Sequence, residues 1–181
     1  KAGGDLNLSA IGDINNISST ISGKTVALES LDGSINNLTQ VEQIDINAGG
    51  KYGKIGLKDT LLGNTASITA QDGLSLEAGK NITVTGANLT SGGDMLLNAG
   101  NDLNMNAAQT SESSRKGKSE SHSTGLDRTT ISAGDNLVLK AGQDINAQAA
   151  ALAAEKSVGL QAGRDVNLAA EETTQGDSYK S

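Results

Sequence analysis

The sequence contains no Cys, Pro, Trp or Phe, and its only aromatic residues are Tyr52 and Tyr179. The absence of Cys excludes disulfides and Cys-ligated metals, but it leaves the cellular compartment open, because exported bacterial proteins can lack Cys too. A core must therefore be built from Leu, Ile, Val, Ala and two Met residues. Such side chains favour a narrow interior over the thick core of an ordinary globular domain.

Basic residues are also scarce, because 14 Lys and Arg stand against 21 Asp and Glu, for a net charge of -7. Nucleic acid is therefore not an expected partner, since binding its phosphates needs a basic footprint. No apolar run approaches the roughly 18 residues that a membrane-spanning helix needs. Lys1 does not begin a signal peptide, so we expect an internal segment of a longer protein.

Repetition is the main feature that the sequence does contain. The repeated unit has a small residue and Gly, a turn residue with Asp or Asn, and then apolar side chains at alternate positions; Ser91–Asn106 (SGGDMLLNAGNDLNMN) holds two copies. Alternation predicts short strands, and Gly with Asp or Asn predicts the turns between them. The cycle restarts after 21 residues, from Ala70 to Ser91 and from Ala133 to Ala154.

Three stretches depart from this pattern. Between Val41 and Leu62 the apolar alternation persists, but Tyr52 with its Gly and Lys neighbours indicates a small insertion, which leaves the strand register of residues 50–65 undetermined. Residues 109–130 (QTSESSRKGKSESHSTGLDRTT) are rich in Ser, Thr and charge. We predict a flexible external loop there, with a poorly packed excursion of the coil as the alternative. The polar tail from about residue 171 is predicted to fray or to depend on a following repeat.

A period of 20–21 residues is compatible with two kinds of solenoid. A leucine-rich repeat requires L-x-x-L-x-L spacing and a helical side, and only Val41-x-x-Ile44-x-Ile46 approaches that spacing. The other cycles show alternating segments without helical periodicity. We therefore predict an all-β chain in which residues 1–181 form a single parallel β-helix, or β-solenoid. Each coil would have two long strands and one short strand, and there would be about eight coils.

Polar side chains recur at equivalent positions of the cycles. The Asp residues at predicted turns are Asp5, Asp13, Asp94, Asp102, Asp135, Asp144 and Asp165. We favour capping of local backbone amides over a line of cation ligands, because the second Gly pair of calcium-binding nonapeptide repeats is missing. A second set consists of Asn residues that are predicted to point outward, either as a ladder of stacked amides or as simple solvent-exposed side chains. They are Asn7, Asn15, Asn104, Asn146 and Asn167. Sequon matches at Asn16, Asn37, Asn81 and Asn88 are expected from composition alone.

Residues 109–130 contain the candidate interaction residues, which are Arg115, Lys116, Lys118 and His122. The three cations form a short basic cluster that could bind lipopolysaccharide phosphates or an acidic surface, although a solvated loop of mixed charge is the simpler interpretation. His122 lies near Ser residues and Asp127, but a nucleophilic triad needs a rigid scaffold. We therefore predict no catalytic, cofactor-binding or metal-binding residues, no cofactor and no enzymatic activity.

The Ala-Gly-x-Asp phrases, and the run Ala107–Ser114 that leads into the Ser-rich stretch, resemble the second class of haemagglutinin repeats in the filamentous haemagglutinin family. The chain is similar to CdiA-type contact-dependent growth inhibition effectors, which are two-partner-secretion exoproteins. The resemblance implies a right-handed parallel β-helix and a secreted or cell-surface location, with periplasmic retention before delivery as a further implication. The implied partners are outer-membrane or surface components of a target cell and the neighbouring repeats of the full-length chain.

Three functions are compatible with these features. The resemblance implies a structural repeat segment that assists delivery of a C-terminal toxin across the outer membrane of a target cell. The alternative is the shaft of a filamentous adhesin that binds host or neighbouring cell surfaces. A β-helical enzyme that cleaves polysaccharides is the third, and it is disfavoured because it needs paired carboxylates in one groove, whereas the Asp residues here are regularly spaced.

Overall fold

The computed structural model describes residues 1–50 and 53–179, and every regular element in this part of the chain is a β-strand. The insertion predicted around Tyr52 lies outside the described residues. None of the described residues belongs to a helix that is long and apolar enough to cross a membrane. The strands are β1 (Leu6–Ala10), β2 (Ile14–Ile17), β3 (Thr20–Ser30), β4 (Ile35–Leu38), β5 (Val41–Gly50), β6 (Gly53–Leu62), β7 (Ser67–Ala78), β8 (Ile82–Thr85), β9 (Asn88–Ser91), β10 (Met95–Ala99), β11 (Leu103–Asn106), β12 (Ala108–Lys116), β13 (Ser119–Asp127), β14 (Thr129–Ala133), β15 (Asn136–Ala141), β16 (Ile145–Gln148), β17 (Ala150–Ala154), β18 (Ser157–Ala162), β19 (Val166–Ala169) and β20 (Gln175–Tyr179).

Most of these strands wind into a parallel β-helix, which confirms the predicted fold class. Coils 1 to 6 begin with β1, the second half of β3, the second half of β7, β10, β15 and β18, and these strands form the first sheet. The second sheet contains β2, β4, β8, β11, β16 and β19. The third contains the first halves of β3 and β7, with β9, β14 and β17.

The strand register confirms the repeating cycle and shows where it is interrupted. Leu74 pairs with Met95, one cycle further along the chain, but Met95 pairs directly with Leu137, two cycles further along. In the same way, Val26 pairs with Leu74 across more than two cycles of sequence. The extra residues leave the coil instead of forming coils of their own. The described residues therefore make six coils and not the predicted eight.

Alternate side chains of each strand fill the narrow interior. Leu28, Leu76, Leu97 and Leu139 stack in register on the first sheet, and each is at most 1% exposed. At the first coil the column is uncovered, and Leu8 is 43% exposed. The core is therefore a stack of thin layers, each of which depends on the coils above and below it.

The turn carboxylates bond to the following coil. Asp13 Oδ1 accepts the backbone N–H of Ser34 at 2.8 Å. Asp102 Oδ1 accepts the N–H of Asp144 at 3.1 Å, and Asp144 Oδ1 accepts that of Asp165 at 3.2 Å. The prediction of local capping is wrong at these turns, because stacking brings the equivalent amide of the next coil to within about 5 Å of each turn.

The outward Asn side chains form a ladder wherever consecutive coils both carry one. Asn146 Nδ2 donates to Asn104 Oδ1, and Asn167 Nδ2 donates to Asn146 Oδ1, both at 2.9 Å. Asn15 accepts an equivalent bond from the next coil. Asn7, by contrast, is an exposed side chain on the first sheet.

Two Asn residues of the sequon matches face inward instead. Asn37 is fully buried and donates through Nδ2 to the carbonyl oxygen of Asn88 at 3.2 Å. Asn16 Nδ2 donates to Asn37 Oδ1 at 2.7 Å. These amides occupy the position that Met105 fills in coil 4, so the first two coils have a partly polar interior. The sequons at Asn16 and Asn37 therefore have no accessible amide.

Glycine is required at the corner between the first and second sheets, where successive coils approach closely. A Cβ on Gly100 would overlap the carbonyl oxygen of Gly79 in the preceding coil. A Cβ on Gly142 would overlap that of Gly100 in the same way. This close approach gives a physical reason for the Gly in the repeated Ala-Gly phrase.

Candidate interaction surface

The three departures from the repeat form one structure, an antiparallel sheet in the order β5-β6-β12-β13-β20, here termed the lateral sheet. Val41–Gly50 and Gly53–Leu62 form the hairpin β5–β6 and not strands of a coil. Residues 109–130 contain the hairpin β12–β13, so the prediction of a flexible loop is wrong. The tail, for which we predict fraying, contains β20, which pairs with β13.

The β12–β13 hairpin follows from its own sequence. A two-residue turn, Gly117–Lys118, joins Lys116 to Ser119. Gly117 has a φ of +61°, which the first central residue of a type II′ turn needs and which Gly adopts without steric cost. Near the base of the hairpin, the hydroxyl oxygens of Thr60 and Ser111 are 3.1 Å apart, so side chains as well as backbone connect β6 to β12.

The hairpins leave the solenoid at the same corner of alternate coils. β5–β6 follows β4 in coil 2, β12–β13 follows β11 in coil 4, and the β20 segment follows β19 in coil 6. One hairpin is two strands wide, about 10 Å, and two coils also rise by about 10 Å. This match allows hairpins from alternate coils to meet edge to edge, as Glu112 does with Asp59.

The four candidate residues lie at the tip of the β12–β13 hairpin and along β13. Arg115 lies opposite Glu120 of β13, Lys116 lies opposite Ser119, and Lys118 is in the turn; all three cations are exposed. Successive residues of a strand point to opposite faces. Arg115 and His122 therefore share one face of the lateral sheet, whereas Lys116 is on the other, so the structure divides the cluster predicted from the sequence.

The surroundings of His122 do not assemble the triad that its sequence neighbours suggested. The neighbours Ser121 and Ser123 point to the opposite face from His122, as alternation along β13 requires. Asp127 is also on that opposite face, at the base of the hairpin. The imidazole packs against Gly176 of β20, where a Cβ would lie 2.5 Å from the imidazole Cε1. His122 thus covers the joint between β13 and the tail strand.

The sequence interpretation missed the apolar face of the β5–β6 hairpin. Ile44, Ile46, Ile55, Leu57 and Leu61 all project from one face of the lateral sheet. Ile46 is 54% exposed and Ile55 is 57% exposed. A signal existed, because the alternation on either side of the Gly-rich centre is mirror-symmetric, as expected for a hairpin.

Two ionisable side chains at a turn beside the first sheet have shifted pKa values. Asn136 donates its side-chain and backbone N–H groups to Asp94 Oδ1, at 2.8 and 3.1 Å, and these bonds hold the pKa of Asp94 below its ordinary value. A 2.7 Å hydrogen bond to Asp135, and the negative charge of that carboxylate, raise the pKa of Lys156. Both shifts come from contacts between coils. In the described part of the chain, no three His, Asp or Glu side chains come together as metal ligands.

Comparison with known proteins identifies the repeat. A family described as "Hemagglutinin repeat" matches residues 58–127 and 111–181, and a family described as "Haemagglutinin repeat" matches residues 1–51. The chain is 50% identical to a "tRNA nuclease CdiA" of Escherichia coli (strain STEC_O31) over 178 residues, which is 98% of this chain and 5% of that protein.

Two further relatives match parts of the chain. A "16S rRNA endonuclease CdiA" of Enterobacter cloacae subsp. cloacae is 59% identical over 90 residues, covering 50% of this chain and 3% of that protein. A "Toxin CdiA" of Escherichia coli is 52% identical over 131 residues, covering 72% of this chain and 4% of that protein. The chain thus spans only a small part of the length of these relatives. No solved structure matches the chain.

Proposed function

The chain belongs to the haemagglutinin repeat family, and from this premise we propose that it is a structural segment of a large, secreted bacterial surface exoprotein. The segment helps to deliver a C-terminal toxin across the outer membrane of a target cell and has no catalytic activity of its own. Its partners are neighbouring repeats of the longer protein and outer-membrane or surface components of the target cell. The observation that carries the proposal is the exposure of apolar side chains at both ends of the solenoid.

Each end of the solenoid presents apolar side chains that the inner coils bury. At the first coil Leu8 is 43% exposed, although its equivalent in coil 2, Leu28, is 1% exposed. At the last coil Leu168 is 63% exposed, although its equivalent in coil 4, Met105, is fully buried. Such ends fit further coils above and below, as expected for a segment within a longer shaft.

The delivery role is supported by what the relatives share. Their names include a tRNA nuclease, a 16S rRNA endonuclease and a deoxyribonuclease. A segment that matches proteins with three different nuclease names over 98%, 50% and 42% of its length is not explained by any one of those activities. A role in carrying the toxin accounts for its presence in all of them.

The test is a deletion of residues 107–127 within a full-length CdiA-type exoprotein that contains this segment. These residues make coil 4 longer than coil 3 by one cycle. After the deletion, Arg128 and Thr129 would take the places that Gly86 and Ala87 have in coil 3. Two readouts are needed, which are attachment to target cells and growth inhibition of those cells. We expect attachment to persist and growth inhibition to be lost.

The other outcomes contradict the proposal. Loss of attachment would favour the adhesin alternative, in which the lateral sheet binds a cell surface. Unchanged growth inhibition would show that the β12–β13 hairpin has no part in delivery. Turnover of any polysaccharide by the purified segment would refute the statement that it is not an enzyme.

The adhesin alternative has one specific observation in its favour, the three exposed cations at the tip of the β12–β13 hairpin. It predicts that a combined Arg115→Gln, Lys116→Gln and Lys118→Gln variant attaches less well to cells with phosphate-rich surfaces. The matched control removes three cations from the coils, by Lys24→Gln, Lys80→Gln and Lys140→Gln. Equal attachment of both variants would count against the alternative.

A further inference from the structure

The β5 strand is a long free edge of the lateral sheet. It spans ten residues, Val41–Gly50, and pairs only with β6 among residues 1–50 and 53–179. The strand contains no Pro, and its pairing with β6 shows no register shift. Of its two carboxylates, Asp45 is paired with Lys58 of its own hairpin, with 3.5 Å between the charged atoms, and Glu42 is exposed. The devices that usually protect a long edge from pairing are therefore few.

The other edge shows how the lateral sheet adds strands. β20 comes from coil 6, two coils after the β12–β13 hairpin, and pairs antiparallel with the outer edge of β13 from Ser119 to Ser123. β12, from coil 4, pairs in the same way with the outer edge of β6, from coil 2. In both joints the new strand runs outward and its partner runs back toward the solenoid. A hairpin edge thus accepts a strand that starts two coils away.

We propose that the outer edge of β5 is an interaction surface for the inward-running strand of a β-hairpin from an adjoining repeat, carried two coils before coil 2. The lateral sheet then continues along the shaft and gains two strands for every two coils. This inference rests on the proposed function, because it needs the segment to lie within a longer run of coils. The partner is identified by its geometry. It is an antiparallel strand from a coil that, like coils 2 and 4, lies a whole number of coil pairs from coil 2.

Two observations favour this occupant over an unrelated peptide. The match between the width of a hairpin and the rise of two coils, about 10 Å each, places such a strand beside β5. The relatives are also far longer than the segment, which covers 5% of the length of the Escherichia coli tRNA nuclease CdiA. Further repeats in such a protein would supply hairpins of the required kind.

The experiment extends residues 3–181 with coils copied from the same chain. In the in-phase extension, a copy of residues 72–133, which contains coils 3 and 4 with the β12–β13 hairpin, precedes Gly3. The appended hairpin then lies two coils before coil 2. In the shifted control, a copy of residues 134–154 is inserted between the appended copy and Gly3, which moves the hairpin to three coils before coil 2. Amide hydrogen exchange is measured for β5 and, separately, for β1 and β2.

We expect the outward-facing amides of β5 to exchange at least about tenfold more slowly in the in-phase extension than in the unextended chain. In the shifted control β5 should exchange as in the unextended chain. Protection of β1 and β2 should increase in both extended chains, because each extension places a coil directly before coil 1, which contains these strands. Protection of β1 and β2 without protection of β5 in the in-phase extension would overturn the inference while leaving the proposed function intact.

If β1 and β2 gain no protection in either extended chain, the proposed function fails. The rule of alternate coils, by which a hairpin edge pairs with a strand that starts two coils away, is then tested in the unextended chain. Ser121 and Asp177 are opposite each other on β13 and β20. The chain has no Cys, so the double variant Ser121→Cys with Asp177→Cys carries only the two introduced thiols. These two thiols should form a disulfide. The control pair is Ser121→Cys with Ser178→Cys, whose side chains point to opposite faces. Failure of the first pair to form, or equal formation of both, would overturn the rule.

Discussion

Truncation of the central leucine of the core column tests whether the coils stabilise one another. Leu97 is fully buried, with Leu76 and Leu139 in register on either side. Leu97→Ala removes three carbon atoms, which is about 2.4 kcal/mol of transfer free energy at about 0.8 kcal/mol each. The enclosed cavity brings the expected loss of unfolding free energy to about 3–5 kcal/mol.

The matched variant is Leu8→Ala, in the same column but at the uncovered first coil. Because Leu8 is 43% exposed and stacks on Leu28 from one side only, little more than half of the transfer free energy applies and no closed cavity forms. The expected loss is about 1.4 kcal/mol. The difference of about 2–4 kcal/mol between the two variants comes only from stacking on both sides.

Urea unfolding followed by far-ultraviolet circular dichroism is the suitable assay, since the chain has no Trp for fluorescence. The slope of unfolding free energy against urea should stay constant for Leu8→Ala. For Leu97→Ala the weakened coil lies in the middle of a quasi-one-dimensional stack, so the transition should broaden or divide. An equal or smaller loss for Leu97→Ala than for Leu8→Ala would refute the stacked-layer account of the core.

Three other predictions concern the turns between coils. Gly100→Ala should lower the unfolding free energy by about 1–3 kcal/mol, because its Cβ would overlap the preceding coil. The control is Gly159→Ala, where a Cβ meets no atom within 4 Å. Thermal melting should show that this control is neutral or slightly stabilising. Asp144→Ala should cost about 1–2 kcal/mol in urea unfolding, because it removes the acceptor for the N–H of Asp165 and the two hydrogen bonds from Arg164, and Asp144→Asn should cost less, since it keeps one acceptor. The lowered pKa of Asp94 adds stability above the unfolded carboxyl pKa of about 3.9, and this stability is lost as pH falls through the lower folded value. Asp94→Ala should therefore flatten the dependence of Tm on pH in that acidic range, and an unchanged slope would contradict the assignment.

The candidate site shows where prediction from sequence reached its limit. The types of residue at the tip of the β12–β13 hairpin follow from the sequence, but the face on which each side chain lies does not. Arg115 and Lys116 are adjacent in sequence, and they point to opposite faces because they lie on one strand. The composition of residues 109–130, poor in aliphatic residues, indicated disorder. Pairing with β6 and β20 on either side supplies the backbone hydrogen bonds that an isolated two-stranded hairpin lacks.

The sequence by itself determined the solenoid, because each coil carries its own alternation and its own Gly and Asp turns. The one-cycle spacing of Leu76 and Leu97 is a property of the chain, and stacking only brings the two residues into register. Only the tertiary structure decided which alternating segments lie outside the coil. Val41–Leu62 alternates in the same way as a coil strand, since a period of two is common to parallel and antiparallel strands. Its partners in the lateral sheet depend on the rise of two coils, a distance that exists only after the coils have stacked.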